Sequence, residues 1–449
     1  MSERRVVITG MGWVTPLGED VEAVWSRLVA GTSAIGPVTR YDASTFATNF
    51  AAEVRGFDLR GAIGDEADAH EGAGRSTHYA LAAASRAWAQ AGLGAGAGSK
   101  PEGVDPRRIG VYLGAGEGPP DFENFSAANV AGWDPEANAV DGNAWAKVAY
   151  EQLSKVRELE QEPNMTVGRV ANAFGCRGPA FNCMTACAAS TQAVGEASEQ
   201  IRRGDADVML AGGAHSMIHP LGMTGFIRLT AMSTRRDDPA TASRPFDSTR
   251  DGFVMGEGAG IVVLEDLEHA LARGATPLAE IAGYGASADA FRITDIQPEG
   301  KGATSAMRQA CRQAGIDPEK PDEQGRAPVQ YVNAHGTGTQ ENDKIETSAV
   351  RGAFGPMADK LLFGSVKSML GHLIQAAGAV ELITCVKAIQ TGIVPPTLNL
   401  TNPDPRCDLD HVAGEARDLN ASGGVDVCLS NSFGFGGQNN TVCVRRFDG

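Results

Sequence analysis

Aromatic side chains are scarce, at 6% of 449 residues. A chain with so few large rings packs small side chains closely and turns often, and its 56 glycines fit that picture. Cysteine is thin as well: eight residues are too sparse for a disulfide scaffold. No apolar stretch approaches the roughly 18 residues that a membrane span needs. The opening MSERRVVITG runs straight into a strand pattern and lacks the apolar segment of a secretory signal, so reduced thiols and a cytoplasmic location are expected. Bases are outnumbered, 39 Lys+Arg against 55 Asp+Glu, for a net charge of −16. Such a chain repels a phosphate backbone, which excludes broad nucleic-acid binding.

What is present is core. Hydrophobic residues make up 42% and charged residues 21%, which excludes disorder for most of the chain. At about 150 residues per domain, the length fits three units or one large fused fold. RRVVITGMGWV, IGVYLGAG, GFVMGEGAGIVVLEDL, LAEIAGYGASAD and VQYVNA read as strands or strand-rich stretches. Between them, residues 21–30, 77–91 and 301–315 read as helices. PAFNCMTACAASTQAVGEASEQI and LLFGSVKSMLGHLIQAAGAVELI each run from a strand into a small-residue helix of the kind buried between layers. VDVCLSNSFGFGGQNNTVCVRRF is two strands around a Gly-rich turn. Strands alternating with helices make the class α/β.

Two features stand out along the chain. Residues 134–163 carry seven acids and three bases, with Trp145, Ala149, Leu153 and Val156 at helical spacing, and so predict one solvated amphipathic helix stopped by Pro163. The two small-residue helices also echo each other. Each has a glutamate nine residues after a chemically capable side chain, Cys187 to Glu196 and His372 to Glu381, which points to two related halves meeting at paired helix N-termini.

Cys187 stands where a strand hands over to a helix, where a thiol feels the positive end of the helix dipole. The alternative is a buried, inert cysteine, the usual state of such residues, and Cys183 is read that way. Cys176, Cys183 and Cys187 with His215 and His219 lack any CxxC spacing, so no metal site is expected. His215 and His219 read as loop residues because Pro220 follows. His335 and His372 each sit in a Gly-rich strand end, an unusual place for a core histidine, and suit hydrogen-bond donors or bases beside a nucleophile. Lys367 is either a surface lysine or the partner of a carboxylate such as Glu381. Phe433 and Phe435, in SNSFGFGG, suit a loop whose amides face a ligand and whose ring can move, or else a tight turn with one buried ring. GAGEGPPD superficially matches a dinucleotide fingerprint, but Pro119, Pro120 and the acids after them do not suit a pyrophosphate, and no nucleotide cofactor is expected.

TACAAS around Cys187, NAHGTGT around His335, KSMLGH with Lys367 and His372, and SNSFGFGG together resemble the β-ketoacyl-acyl-carrier-protein synthases, most nearly synthase II. GDADVMLAGGA, RPFDSTRDGFVMGEGAG and VPPTLNLTNPDP extend the likeness over nearly the whole chain. The resemblance implies a thiolase-like fold, two similar halves (1–265 and 266–449) in a five-layer α-β-α-β-α stack, and a homodimer. It implies a decarboxylating Claisen condensation through an acyl-Cys187 intermediate, with substrates carried on the phosphopantetheine of an acyl-carrier protein and no cofactor or metal. By the same resemblance His335 and His372 hold the enolate oxygen, and the amides of Cys187 and Phe433 form the oxyanion hole. Phe433 gates the acyl pocket, Thr337, Thr339 and Phe435 contact substrate or pantetheine, and Lys367 with Glu381 supports His372.

Two alternatives remain. A thiolase needs a second cysteine as base where this chain has histidine, and a silent partner subunit of another synthase usually loses the cysteine that this chain keeps. Two departures from the family also stand out. The region 116–163 is longer than the resemblance leads one to expect, and the segment matching the basic carrier-docking surface holds Asp65, Glu66, Asp68 and Glu71, leaving Arg75 and Arg228 as nearby bases.

Overall fold

The computed structural model describes residues 4–99, 101, 103–116, 118 and 121–449. Glu117, Pro119 and Pro120 of the GAGEGPPD segment lie outside the described residues. Ten strands of the described residues form one continuous sheet. They are β1 (Val6–Val14), β2 (Ile109–Ala115), β3 (Ala180–Cys183), β4 (Val208–His215), β5 (Gly258–Asp266), β6 (Ala279–Ala288), β7 (Tyr331–Asn333), β8 (Leu362–Gly364), β9 (Val427–Gly434) and β10 (Gln438–Arg445). Six helices cover them: α1 (Arg75–Gln90), α2 (Met165–Phe174), α3 (Ala189–Arg203), α4 (Lys301–Gln313), α5 (Asn342–Phe354) and α6 (Ala377–Thr391).

The hydrogen-bonded order is β8-β7-β9-β10-β6-β1-β5-β4-β2-β3. Cut between β6 and β1, it becomes two five-strand sets with the same internal order, third-second-fourth-fifth-first. The pairing senses match too: β2 with β3 and β4, like β7 with β8 and β9, is parallel, and the remaining pairs within each set are antiparallel. Helices recur at equivalent places, α1 with α4, α2 with α5, α3 with α6. The sets are joined by only three residue pairs, Val6–Ile281, Val7–Glu280 and Ile8–Ala279.

α3 and α6 lie between the two sets, α1 and α2 cover the outer face of one, and α4 and α5 cover the outer face of the other. The stack is therefore α-β-α-β-α, the expected thiolase-like arrangement. A strand covered on both faces can be apolar along its whole length, and all nine residues of β1 are buried. α6 is buried from Ala377 to Ile389, which explains its small and apolar sequence.

One close approach is built twice. A Cβ on Gly10 or Gly12 of β1 would lie 2.0 and 2.2 Å from the carbonyl oxygens of Ala87 and Ala83 on α1. A Cβ on Gly283 or Gly285 of β6 would lie 2.1 and 2.0 Å from those of Ala310 and Ala306 on α4. Only glycine lets the helix backbone rest on the strand there. The register of both strands slips just before this contact, between Ile8 and Gly10 and between Ile281 and Gly283.

Three expectations need correction. The echo is real but its register is not Cys187 with His372. α3 and α6 follow one-turn 3-10 helices, Ala186–Ala188 and Ile374–Ala376, that begin on residues of positive φ, Ala186 at 47° and Ile374 at 43°. The counterpart of Cys187 is therefore Gln375, and Glu196 and Glu381 are not equivalent.

The single amphipathic helix over 134–163 is instead a hairpin, Trp133–Asp134 with Ala139–Val140, then helices Gly142–Gln152 and Lys155–Leu159. Leu153 is extended, and Ser154 caps the second helix by accepting the Arg157 amide. Its apolar stripe is mostly wet: Ala149 is buried, Trp145 leans on the preceding helix Phe122–Gly132, and Val156 and Leu159 stay exposed. The third correction concerns His215 and His219. His215 ends β4 and is buried, and His219 caps a helix, Pro220–Arg228, by accepting the Gly222 amide.

Candidate active site

Cys187 occupies the 3-10 turn ahead of α3, His335 the loop after β7, and His372 the turn ahead of α6. Chain segments far apart in sequence thus bring three side chains together, with one Cys or His ligand atom from each lying within 4.8 Å of the others. All three are buried, at 7%, 3% and 2% exposure. Among the described residues they are also the group placed to share a metal ion, while Cys176 and Cys183 stand apart from it. The two imidazoles meet edge to face with centroids 5.3 Å apart, and Phe253 stands edge-on to His372 at 5.4 Å.

The surroundings of both histidines favour the neutral ring. Burial lowers their pKa well below the ordinary value, and the nearby Lys367 charge lowers it further. Nδ1 of His372 accepts the Ile374 amide at 3.3 Å, so its proton sits on Nε2, which is buried with no partner. An unused N–H aimed into a dry site is a ready donor for an oxygen that gains charge.

At the Cys187 thiol burial works against the helix dipole. Burial pushes Cys187 up to about 12, and the Glu381 carboxylate adds to that. Lys367 and the amides of Cys187 and Phe435 pull the other way. The free protein therefore holds a thiol, and those last three groups favour negative charge once it develops there.

Phe433 and Phe435 hold different places. Phe433 is part of β9, pairs with Asn439, and is 5% exposed with its ring 5.8 Å from that of His335. The amide beside the Cys187 sulfur is that of Phe435, on the Gly-rich turn, and its ring is half-buried.

Lys367 and Glu381 form an ion pair with side chains only 3% and 2% exposed. Lys367 belongs to a short helix, Lys367–Leu370, so the surface-lysine reading falls. Burial raises the Glu381 pKa and Lys367 opposes the rise. Neither residue lines the cavity. Cys187, His335, His372, Thr337, Thr339, Phe433 and Phe435 all do, around a volume of about 580 Å³.

The loop that holds His335 is pinned by a residue that motif reading passed over. Glu346 on α5 accepts the amides of His335 and Gly336, each at 2.9 Å, and Asn431 donates to it at 3.2 Å. Asp343, one turn earlier, accepts from Phe246 and Gly338. The signal was available: NDKIETSAV places two acids among residues that helical spacing buries.

A buried thiol, two neutral imidazoles and inward-facing amides in a thiolase-like stack define an acyl-transferring condensing enzyme. The β-ketoacyl synthase N-terminal domain matches residues 3–270, and the β-ketoacyl synthase C-terminal domain matches residues 278–401. The chain belongs to the β-ketoacyl synthase family.

It is 41% identical to 3-oxoacyl-acyl-carrier-protein synthase 2 of Coxiella burnetii, with 99% of each chain covered. Among solved structures it is similar to the ishigamide ketosynthase/chain length factor, at a TM-score of 0.84 and 33% identity with both chains covered at 100%. It is also similar to a type II PKS ketosynthase bound to its acyl-carrier protein and a hexaketide, at a TM-score of 0.83 and 29% identity with 100% of both chains covered. No helix of the described residues is long and apolar enough to cross a membrane.

Proposed function

We propose that the chain condenses an acyl thioester with malonyl-acyl-carrier protein, losing CO2 and giving a 3-oxoacyl thioester, in fatty acid or polyketide chain elongation. The convergence of the buried Cys187, His335 and His372 on one cavity carries the reading. Cys187 Sγ bonds to the acyl carbonyl carbon, the bond from that carbon to the pantetheine sulfur breaks, and the pantetheine thiol leaves with a proton. The amides of Cys187 and Phe435 face the charge of this step.

Malonyl thioester then loses CO2, and the electron pair of the broken C–C bond moves onto the thioester oxygen as an enolate. His335 and His372 hold that oxygen. The enolate carbon attacks the acyl carbonyl, the bond to Sγ breaks, and the Cys187 sulfur takes up one proton from solvent. Thr337 and Thr339, on the cavity wall beside His335, suit the pantetheine arm. No other group is needed to balance these steps.

Intact-mass measurement after mixing with an acyl-pantetheine thioester tests the reading. The acyl increment is expected on wild type and absent from Cys187→Ala. Acylation that survives the substitution, or sits elsewhere, overturns it.

The repeated topology supports a division into halves 1–265 and 266–449, and the assembly is a homodimer that works on a carrier protein. Docking is where this chain departs from a basic surface. Arg60 pairs with Asp65 and Asp68, and Glu71 stays exposed, so the segment remains net acidic. Repulsion between like charges is screened over about 10 Å at 0.1 M salt. Affinity for an acidic carrier is therefore expected to hold or rise with salt. Tight binding that falls steeply with salt would reveal a basic face and overturn the acidic-docking reading.

A further inference from the structure

A second cavity of about 550 Å³ adjoins the first, and Phe226 and Leu229 line both. The turns bearing Cys187 and Gln375 pack against each other, so the new space begins close to the nucleophile. Its walls are largely apolar, including Met184, Met217 and Leu221, but four neutral polar side chains break them: Gln161, His215, His219 and Gln375. Burial holds His215 down at about 3, and the neighbouring His219 adds to the depression. Nε2 of His215 meets the Met255 sulfur, at 3.4 Å. His219 accepts the Gly222 amide on Nδ1, which leaves its proton on Nε2 against the Met217 sulfur. Gln375 Oε1 is buried and has no partner. A plain alkyl chain would leave these groups unsatisfied, whereas an oxygen function would engage them.

We propose that Gln375, with His215 and His219, selects acyl chains on Cys187 that bear a hydroxyl or carbonyl in their distal part over plain alkyl chains. The proposal rests on the condensing reading above and adds the substrate class. A pocket that hydrogen-bonds its ligand discriminates strongly against the analogue that lacks the polar group.

The test is a competition on the full chain. Octanoyl-pantetheine is set against oxo-octanoyl-pantetheines that place the carbonyl at successive distal carbons, and the acyl-Cys187 adducts are weighed. At least one oxo isomer is expected to win by about tenfold, and Gln375→Leu to bring the ratio near parity. Acetyl-pantetheine, too short to reach the cavity, reports the reactivity of Cys187 itself in wild type and in each variant, and the oxo-to-octanoyl ratio is read against it. His219→Leu, on another part of the wall, is the second variant and is expected to reduce the same preference. Octanoyl matching every oxo isomer on wild type overturns the proposal, as does an unchanged preference in Gln375→Leu. Failure of acetyl to reach Cys187 in wild type overturns the condensing reading instead. The wild-type competition decides alone should neither variant fold.

Discussion

The two halves of the molecule share strand order, pairing senses, helix placement and a strained turn at the start of a buried helix. They differ in what that turn carries. After Ala186 the chain presents Cys187, and after Ile374 it presents Gln375. The first half contributes the nucleophile. The second contributes His335, His372 and the buried Lys367–Glu381 pair. A duplicated backbone thus supplies two equivalent positions facing one cavity system, and side-chain choice makes one reactive and the other a neutral wall. A left-handed φ on an Ala or Ile costs of order 1–3 kcal/mol, and it persists here because buried packing fixes the turn on both sides.

The largest expected effect breaks this pairing at its reactive member. Cys187→Ala should abolish acylation and lower turnover by about 10³-fold or more, since a covalent route has no substitute nucleophile. Gln375→Ala, at the equivalent place, should leave acetyl transfer within about threefold of wild type, because nothing there touches the reacting atoms. Comparable losses from the two would show that the turns share a catalytic role.

Next comes the ion pair that only the second half owns. Lys367→Met leaves Glu381 buried without its partner and is expected to cost about 3–5 kcal/mol in urea unfolding. The double variant Lys367→Met with Glu381→Gln should recover part of that. It should still react more slowly with alkylating agents at Cys187, whose thiolate Lys367 favours. A double variant no more stable than the single one would show that Lys367 does not serve to neutralise Glu381.

The histidines sharpen the division of labour. His335→Ala or His372→Ala should slow CO2 release from malonyl-carrier by about 10²–10³-fold, the usual loss on removing one donor to a developing oxyanion. Acylation of Cys187 should survive in both. Equal loss of the two partial reactions would make the rings structural.

Much of this arrangement was legible in the sequence, and the parts that were not have physical reasons. β1, β4 and β5 are nearly continuous apolar runs, which a strand covered on both faces tolerates, so the α/β class was readable from the residues, while the five-layer stack came only with the family resemblance. Cys187, His335 and His372 showed themselves because polar, reactive side chains in Gly-rich strand ends have few structural uses. Glu346 was marked only by its place among the buried positions of NDKIETSAV; the loop whose amides it accepts leaves no pattern of its own. The break at Leu153–Ser154 was also hidden, since apolar spacing runs through it and only the Ser154 cap marks the new helix. The echo of Cys187 with His372 misled by three residues, because composition repeats while register is set by the Ala186 and Ile374 turns.

Glu346 allows the finest test of how the second half holds its histidine loop. Burial holds this carboxyl up at about 7 against an ordinary 4.5, opposed by the amides of His335 and Gly336. A raised folded-state pKa means that the folded protein keeps this proton longer than the unfolded chain. The stabilisation is fully present below about 4.5 and is lost as pH rises through about 7, and at about 1.4 kcal/mol per pH unit the loss is roughly 3 kcal/mol. Asp343 is also raised by burial and contributes with the same sign, so the measurement must be a difference. Glu346→Gln imitates the protonated carboxyl at every pH, though it keeps one acceptor oxygen for two amides. Urea midpoints of wild type and variant at about pH 5 and about pH 8 should show a wild-type decline that the variant largely lacks. A variant with the full decline would assign it to other groups and leave Glu346 ionised, in which case its grip on the His335 loop would be ionic at neutral pH.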